Sequence, residues 1–333
     1  MTPCPWLQVK ILQILQMLQP PIGDADLLST VNGQIKRIYK YVEVTKHVNK
    51  NNSDHSILFE AINLAIIYEH HVPRQTRIET VKLLSKFIGV KEPNIRYLAL
   101  ESLSKLKPIH LDTDRNLIKD NLETFFSGLK EKDISIRKRA LDTIFYLCNS
   151  EVAGEVVNEL LDHLQENDYE LMEIMVLKIA ILAEKFAINL SWYIDVIIKL
   201  IEFAGDYVDE DLWYRVAQMV TGFGDAETES DENLQKYAAL KMFDVMRTPS
   251  LHEAMIKIGT FVLSEFGYLI ANEPGKGYTT QFNMIKAKLP ECSLQGKAIV
   301  MTAFIKMTKN SSEVIPLARE VFMAHRNHWN VEI

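Results

Sequence analysis

The chain has 333 residues, 47% hydrophobic and 24% charged, which is enough apolar content for a sizeable core and too much for a disordered tail. Its 13 glycines and 11 prolines are few for this length and disfavour turn-rich all-β folds and low-complexity linkers. With 37 basic against 44 acidic side chains the formal net charge is -7, which excludes a generally polyanion-seeking protein and leaves no expectation of nucleic-acid binding.

Met1 to Trp6 lacks the basic-then-apolar pattern of a secretory leader. No stretch approaches the roughly 18 consecutive apolar residues of a membrane span, leaving only peripheral membrane contact. Three widely spaced cysteines, Cys4, Cys148 and Cys292, indicate a reducing compartment rather than a disulfide framework. Trp6, Leu7, Val9, Ile11, Leu12, Ile14, Leu15, Met17 and Leu18 crowd the first helix. A capping repeat would carry a polar outer face, so this end is expected to be sticky in isolation.

Lys36, Arg37, Lys40, Lys46 and Lys50 outnumber Glu43 and form the candidate peripheral lipid contact. Clusters of four to eight cations recruit anionic headgroups at about 1 kcal/mol each near the surface, although a solvated helix face accounts for the same run. His70 and His71 are adjacent and point about 100° apart on a helix, while His325 and His328 could share a face. No Cys or acid cluster completes either pair to the four ligands zinc usually takes, so no metal site is assigned.

From Ile95 to Leu106 the apolar residues Ile95, Leu98, Ala99, Leu103 and Leu106 follow the three-and-four spacing of an amphipathic helix. The same spacing returns at Ile118 to Leu129, Ala153 to Leu164 and Trp192 to Ile201. Short polar breaks separate the stretches, at Lys107-Pro108, Glu131 to Asp133, Glu166 to Asp168 and Gly205-Asp206, and predict antiparallel helical hairpins. The acidic segment Asp225 to Glu232, behind Gly222 and Gly224, and the stretch Glu273 to Thr280 read as surface loops within one domain.

A longer period runs through these helices. Asn94-Ile95-Arg96-Tyr97-Leu98-Ala99-Leu100 and Ser135-Ile136-Arg137-Lys138-Arg139-Ala140-Leu141 both set Ile-Arg three residues before Ala-Leu, a step of 41 from Arg96 to Arg137. Fainter echoes fall at Gln8, Ile57, Leu171-Met172, Leu212-Trp213, Lys257-Ile258 and Leu294, for about eight hairpin units. The expected fold is all-α: a right-handed α-α superhelix of the HEAT or armadillo kind, one repeat trunk over residues 1–333. Arg96 and Arg137 are expected to form a structural ladder with an acid of the adjacent unit, Asp133 or Glu131; the functional alternative is an arginine row open to phosphates or carboxylates. A second basic group, Lys130, Lys132, Arg137, Lys138 and Arg139, is diluted by Glu131 and Asp133. No GxSxG, GxxxxGKS or CxxC frame occurs, so the reading assigns no catalytic residue and no cofactor.

Pro5-Trp6-Leu7-Gln8-Val9-Lys10-Ile11-Leu12, Leu58-Phe59-Glu60-Ala61-Ile62, Asn94 to Ser102 and Val176 to Lys185 resemble the trunk of the large adaptin subunits of clathrin adaptor complexes. Trp192-Tyr193-Ile194-Asp195, Ala204 to Val208, Trp213-Tyr214-Arg215-Val216 and Gly267 to Ala271 most resemble the alpha-type branch, with gamma-type adaptins next. The resemblance implies a scaffold that packs against a beta-type large adaptin and holds medium and small adaptin subunits. It implies service in endocytic vesicle formation and intracellular protein transport, in the cytoplasm at clathrin-coated pits of the plasma membrane. It runs from Pro3 to Glu320 and matches the middle and later trunk, so the family's amino-terminal phosphoinositide site, hinge and appendage are expected to lie outside it. None of those residues is carried onto the lysines at 36 to 50. A karyopherin-like transport receptor is the alternative helical-repeat reading, distinguished by binding a GTP-state small GTPase.

Overall fold

The computed structural model describes residues 4–21, 23–41, 48–106, 115–165, 169–208, 210–222 and 229–328. Among these residues the chain forms α-helices joined by short turns and 3-10 segments, with no strand. Contacts gather it into two compact units, Met1–Val152 and Ala153–Ile333, each taken by itself below. The division falls in the connection where Asn149 Oδ1 accepts the backbone N–H groups of Glu151 (3.0 Å) and Val152 (3.2 Å).

Unit 1 holds α1 (Pro5–Met17), α2 (Ala25–Tyr41), α3 (Val48–Ile67), α4 (Arg74–Ile88), α5 (Pro93–Ser104), α6 (Arg115–Leu129) and α7 (Ile134–Leu147). α1 packs on α3, α3 on α5 and α5 on α7, while α4 packs on α6, so alternate helices build two layers. Local chemistry sets the helix starts. Pro93 stands in the first turn of α5, where its missing N–H costs nothing, and Asp133 caps α7. The core runs through Leu58, Ile62, Leu84, Leu100, Leu103, Phe125 and Leu141, all under a tenth exposed. Each such side chain contributes about 1.5–3 kcal/mol of burial.

Unit 2 holds α8 (Ala153–Gln165), α9 (Met172–Lys185), α10 (Leu190–Ala204), α11 (Glu210–Thr221), α12 (Glu229–Met246), α13 (Glu253–Phe266), α14 (Tyr278–Lys288), α15 (Leu294–Asn310) and α16 (Ile315–His325). α8 packs on α10, α10 on α12 and α12 on α14, and the other layer runs α11 on α13 on α15. Asn189 caps α10 through the Trp192 N–H (2.7 Å), and Ser293 caps α15 through the Gly296 N–H (3.2 Å). Phe282 and Phe304 stack with ring centroids 4.3 Å apart in its core.

The repeat period seen in the sequence reappears as polar bonds between successive units. In unit 1 they join Asn32 Nδ2 to the His71 carbonyl, 39 residues on, Tyr39 to Thr80 (41), Tyr97 to Arg139 (42) and Leu100 to Thr143 (43). In unit 2 the Tyr237 hydroxyl donates to Asp195 Oδ2, 42 residues back, and Lys257 Nζ to Gln295 Oε1, 38 residues on. A helical-repeat architecture of the HEAT or armadillo kind follows from these stacked hairpins.

Three details differ from the sequence reading, the first being that the acidic segment Asp225 to Glu232, read as a loop, is helical from Glu229, where α12 begins. Leu98 is 41% exposed while Leu100 is fully buried, because the inward face of α5 centres on Ala99, Leu100 and Leu103 rather than on the 95–98–99 stripe. The stretch Glu273 to Thr280 is a loop only as far as Gly277, since α14 begins at Tyr278.

Candidate interaction surfaces

Arg96 stands near the start of α5 and pairs through Nη1 with Glu131 Oε1 in the α6–α7 connection, both side chains half-buried. Arg137, at the equivalent place on α7, donates from Nη1 to the backbone carbonyls of Glu131 (3.0 Å) and Lys132 (3.2 Å). Glu131 is therefore the acid facing Arg96. Asp133, read from sequence as a ladder residue, is instead the N-cap of α7: its Oδ1 accepts the Ser135 N–H at 2.7 Å. The reason is reach, because a short carboxylate directly before a helix bonds its own first-turn amides before it can reach the next repeat. Arg139 donates to the Tyr97 hydroxyl (2.9 Å) and lies 5.2 Å from that ring's centroid; the bond to Tyr97 raises its pKa further.

Of the candidate lipid contacts, Lys36 is half-buried on α2, and Arg37 and Lys40 are exposed on its last turns. Lys46 and the rest of 42–47 lie outside the described residues, as do 223–228 of the acidic loop; Lys50 belongs to the first turn of α3. The His71 carbonyl accepts from Asn32, and His325 Nδ1 bonds its own helix at Val321 O (2.9 Å). Among the described residues no group of three His, Cys, Asp or Glu side chains converges as a metal site.

Three surfaces stand out for partner contact. α1 buries Val9 and Leu12 but exposes Leu7, Ile11 and Ile14 along one stripe. α9 exposes Ile174, Leu177 and Ile181 at helical spacing, with Leu177 60% exposed. On α11, α13 and α15, Trp213, Tyr214, Phe261, Ala298, Thr302 and Lys306 line a cavity of about 490 Å³. Lys306 pairs with Glu265 and lies 5.6 Å from the centroid of the Phe261 ring. Sequence reading registered Leu177 and Trp213 as repeat markers and as carriers of the family resemblance, not as surface; the signal missed was that apolar spacing on α9 continues round to a second face.

The profile of the adaptin N terminal region matches residues 2–331. The chain belongs to the adaptin family. Among relatives, it is 40% identical over 333 residues to AP-2 complex subunit alpha-2 of Dictyostelium discoideum, covering 99% of this chain and 32% of that protein. It is 38% identical to AP-2 complex subunit alpha-2 of Arabidopsis thaliana, with 99% and 32% covered. AP-1 complex subunit gamma-2 of Arabidopsis thaliana is more distant, 27% identical over 81% of this chain and 29% of its own. This adaptin chain thus spans about a third of the length of the alpha relatives it matches. Among solved structures an engineered protein overlays with a TM-score of 0.42 at 10% identity, covering 99% of this chain and 93% of its own, too loose a fit to weigh.

Proposed function

We propose that the chain works as trunk scaffold of an alpha-type large subunit in a clathrin adaptor coat. The observation that carries this is identity of 38–40% across 99% of the chain to AP-2 alpha subunits, against 27% across 81% for a gamma subunit. Stacked hairpins with exposed apolar stripes on α1 and α9 supply broad faces for other subunits, which favours a role in assembly over chemistry. We read its partners as a beta-type large adaptin and medium and small adaptin subunits, its process as endocytic vesicle formation, and its place as the cytoplasmic side of the plasma membrane. No helix among the described residues is long and apolar enough to cross a membrane, and membrane association in this reading comes through the assembled coat.

The test is affinity purification of the native protein from cytosol, followed by identification of the chains that come with it. Recovery of beta, medium and small adaptins is the expected result. Recovery with none of them would overturn the reading.

A further inference from the structure

Basic residues far apart in sequence meet on one edge of unit 1. Consecutive helices alternate in direction, so the C-terminal end of α2 and the α4–α5 and α6–α7 connections lie on the same side of the stack. The register is fixed by Tyr39 on Thr80 and by Arg139 on Tyr97. That side collects Lys40 at the end of α2, Lys82 and Lys86 toward the end of α4, Lys91 in the next connection, and Lys130 and Lys132 between α6 and α7. All six are exposed, and none of their ammonium groups has a hydrogen-bond or ion-pair partner among the described residues. Lys91 and Lys132 occupy equivalent places one repeat apart, a step of 41.

The acids on the same side are fewer. Glu92 and Asp133 are exposed, Glu79 is half-buried, and Glu131 is engaged by Arg96. The edge therefore carries exposed positive charge on a chain whose formal net charge is -7. The general preference of helix C-termini for cations does not account for it. In unit 2 the cations in the last turn of α14 are taken up, Lys286 by Glu320 and Lys288 by the Thr248 and Pro249 carbonyls, and the α10–α11 connection presents Asp206.

Helices within a layer sit about 8–10 Å apart, so the cations recur at roughly that spacing across the repeats. An extended polypeptide advances about 3.3 Å per residue, so every third side chain on it would meet the next repeat. We propose that this edge binds an acidic segment of a partner polypeptide, held extended across the repeats with carboxylates at about every third position. The cations follow a line interrupted by Glu92 and Asp133, which matches a chain better than the uniform charge of a bilayer. The lysines are point charges on flexible stems, so the contact is sequence-tolerant and sensitive to salt. The inference goes beyond the coat assignment and stands or falls separately from it, since it needs only the geometry of unit 1.

The probe is a fluorescent peptide of about 15 residues with Glu at every third position among Gly and Ser, titrated with the full chain and read by anisotropy. Binding is expected at low ionic strength and weakens several-fold toward about 0.15 M salt, whereas a peptide with Lys in place of Glu stays unbound. K82E/K86E/K91E/K132E lowers affinity about tenfold or more, while K309E on α15 changes it less than about twofold, and circular dichroism melting checks that both variants fold. Equal affinity for the wild type and the folded quadruple variant would overturn the proposal. So would an absence of binding at low salt, or co-sedimentation with phosphatidylserine vesicles without any binding of the peptide.

Discussion

Gly267 and Gln281 form a pair whose coupling can be worked out from the coordinates. Gln281 is fully buried, and its Nε2 donates to the carbonyls of Gly267 (3.0 Å) and Lys276 (2.8 Å), tying the turn after α13 to the loop before α14. Gly267 has φ -60 and ψ -20, a conformation alanine adopts freely, so backbone strain plays no part in a Gly267→Ala change. The difficulty is space: an added Cβ would lie 2.1 Å from Gln281 Oε1 and 3.1 Å from its Cδ, and the nearest atoms all belong to Gln281. Gly267→Ala must therefore expel the amide and break both bonds. The Gly267 carbonyl keeps the Ile270 N–H at 3.3 Å, so the main loss is the bond to Lys276 and part of the other. Together these amount to about 2–3 kcal/mol, or on the order of 5–10 °C in the melting of a unit this size. Gln281→Ala should cost a similar amount. In the Gln281→Ala background, however, the obstacle is gone, and Gly267→Ala should be neutral or stabilising by about 0.5 kcal/mol through the lost freedom of the unfolded chain. A double-mutant cycle from urea unfolding measures the coupling, expected at about 2–3 kcal/mol. If Gly267→Ala cost the same in both backgrounds, the steric argument would be refuted.

Removing the cap in Asp133→Ala should lower stability by about 1 kcal/mol, and Asp133→Asn should restore most of it; equal melting of all three proteins would remove Asp133 from the cap. Burial first, and then the nearby Glu253 and Glu291 charges, push the Cys292 thiol up to about 11, so in native protein at pH 8 iodoacetamide should label exposed Cys4 well before Cys292. Peptide mass spectrometry over time reads the order, and equal rates would mean that the Cys292 site opens readily. The apolar stripe on α1 predicts self-association of the isolated chain, and Leu7→Glu with Ile14→Glu should shift light scattering toward the monomer without altering helix content. Wild-type monomers at high concentration would contradict this.

Spacing within a helix and between repeats is a local property, which is why α5 and α7 could be set in register from Arg96 and Arg137 before any coordinate was known. The same two residues mark where legibility stops. Which acid meets Arg96 depends on whether a carboxylate is better used by the helix it precedes, and Asp133 goes to its own amides while Glu131, longer and two residues earlier, reaches across. Leu98 and Leu100 show a similar limit, because a helix stripe identifies an apolar side but not which flank of it the next helix covers. Gln281 gave no signal at all, since its two acceptors are backbone carbonyls whose position depends on the packed turn around Gly267.

The lysine edge lies between these cases. Its members were visible as two runs, near residue 40 and near residue 130, and each alone reads as an ordinary solvated face. Alternation of helix direction joins them, and it also brings in Lys82, Lys86 and Lys91, which belong to neither run. In a repeat protein a charge recurring at the repeat step occupies one edge, whereas a charge clustered in sequence covers only one turn. A surface for a long partner is therefore better sought by reading residues about 41 apart than by counting neighbours, and Lys91 with Lys132 is where that reading would have begun.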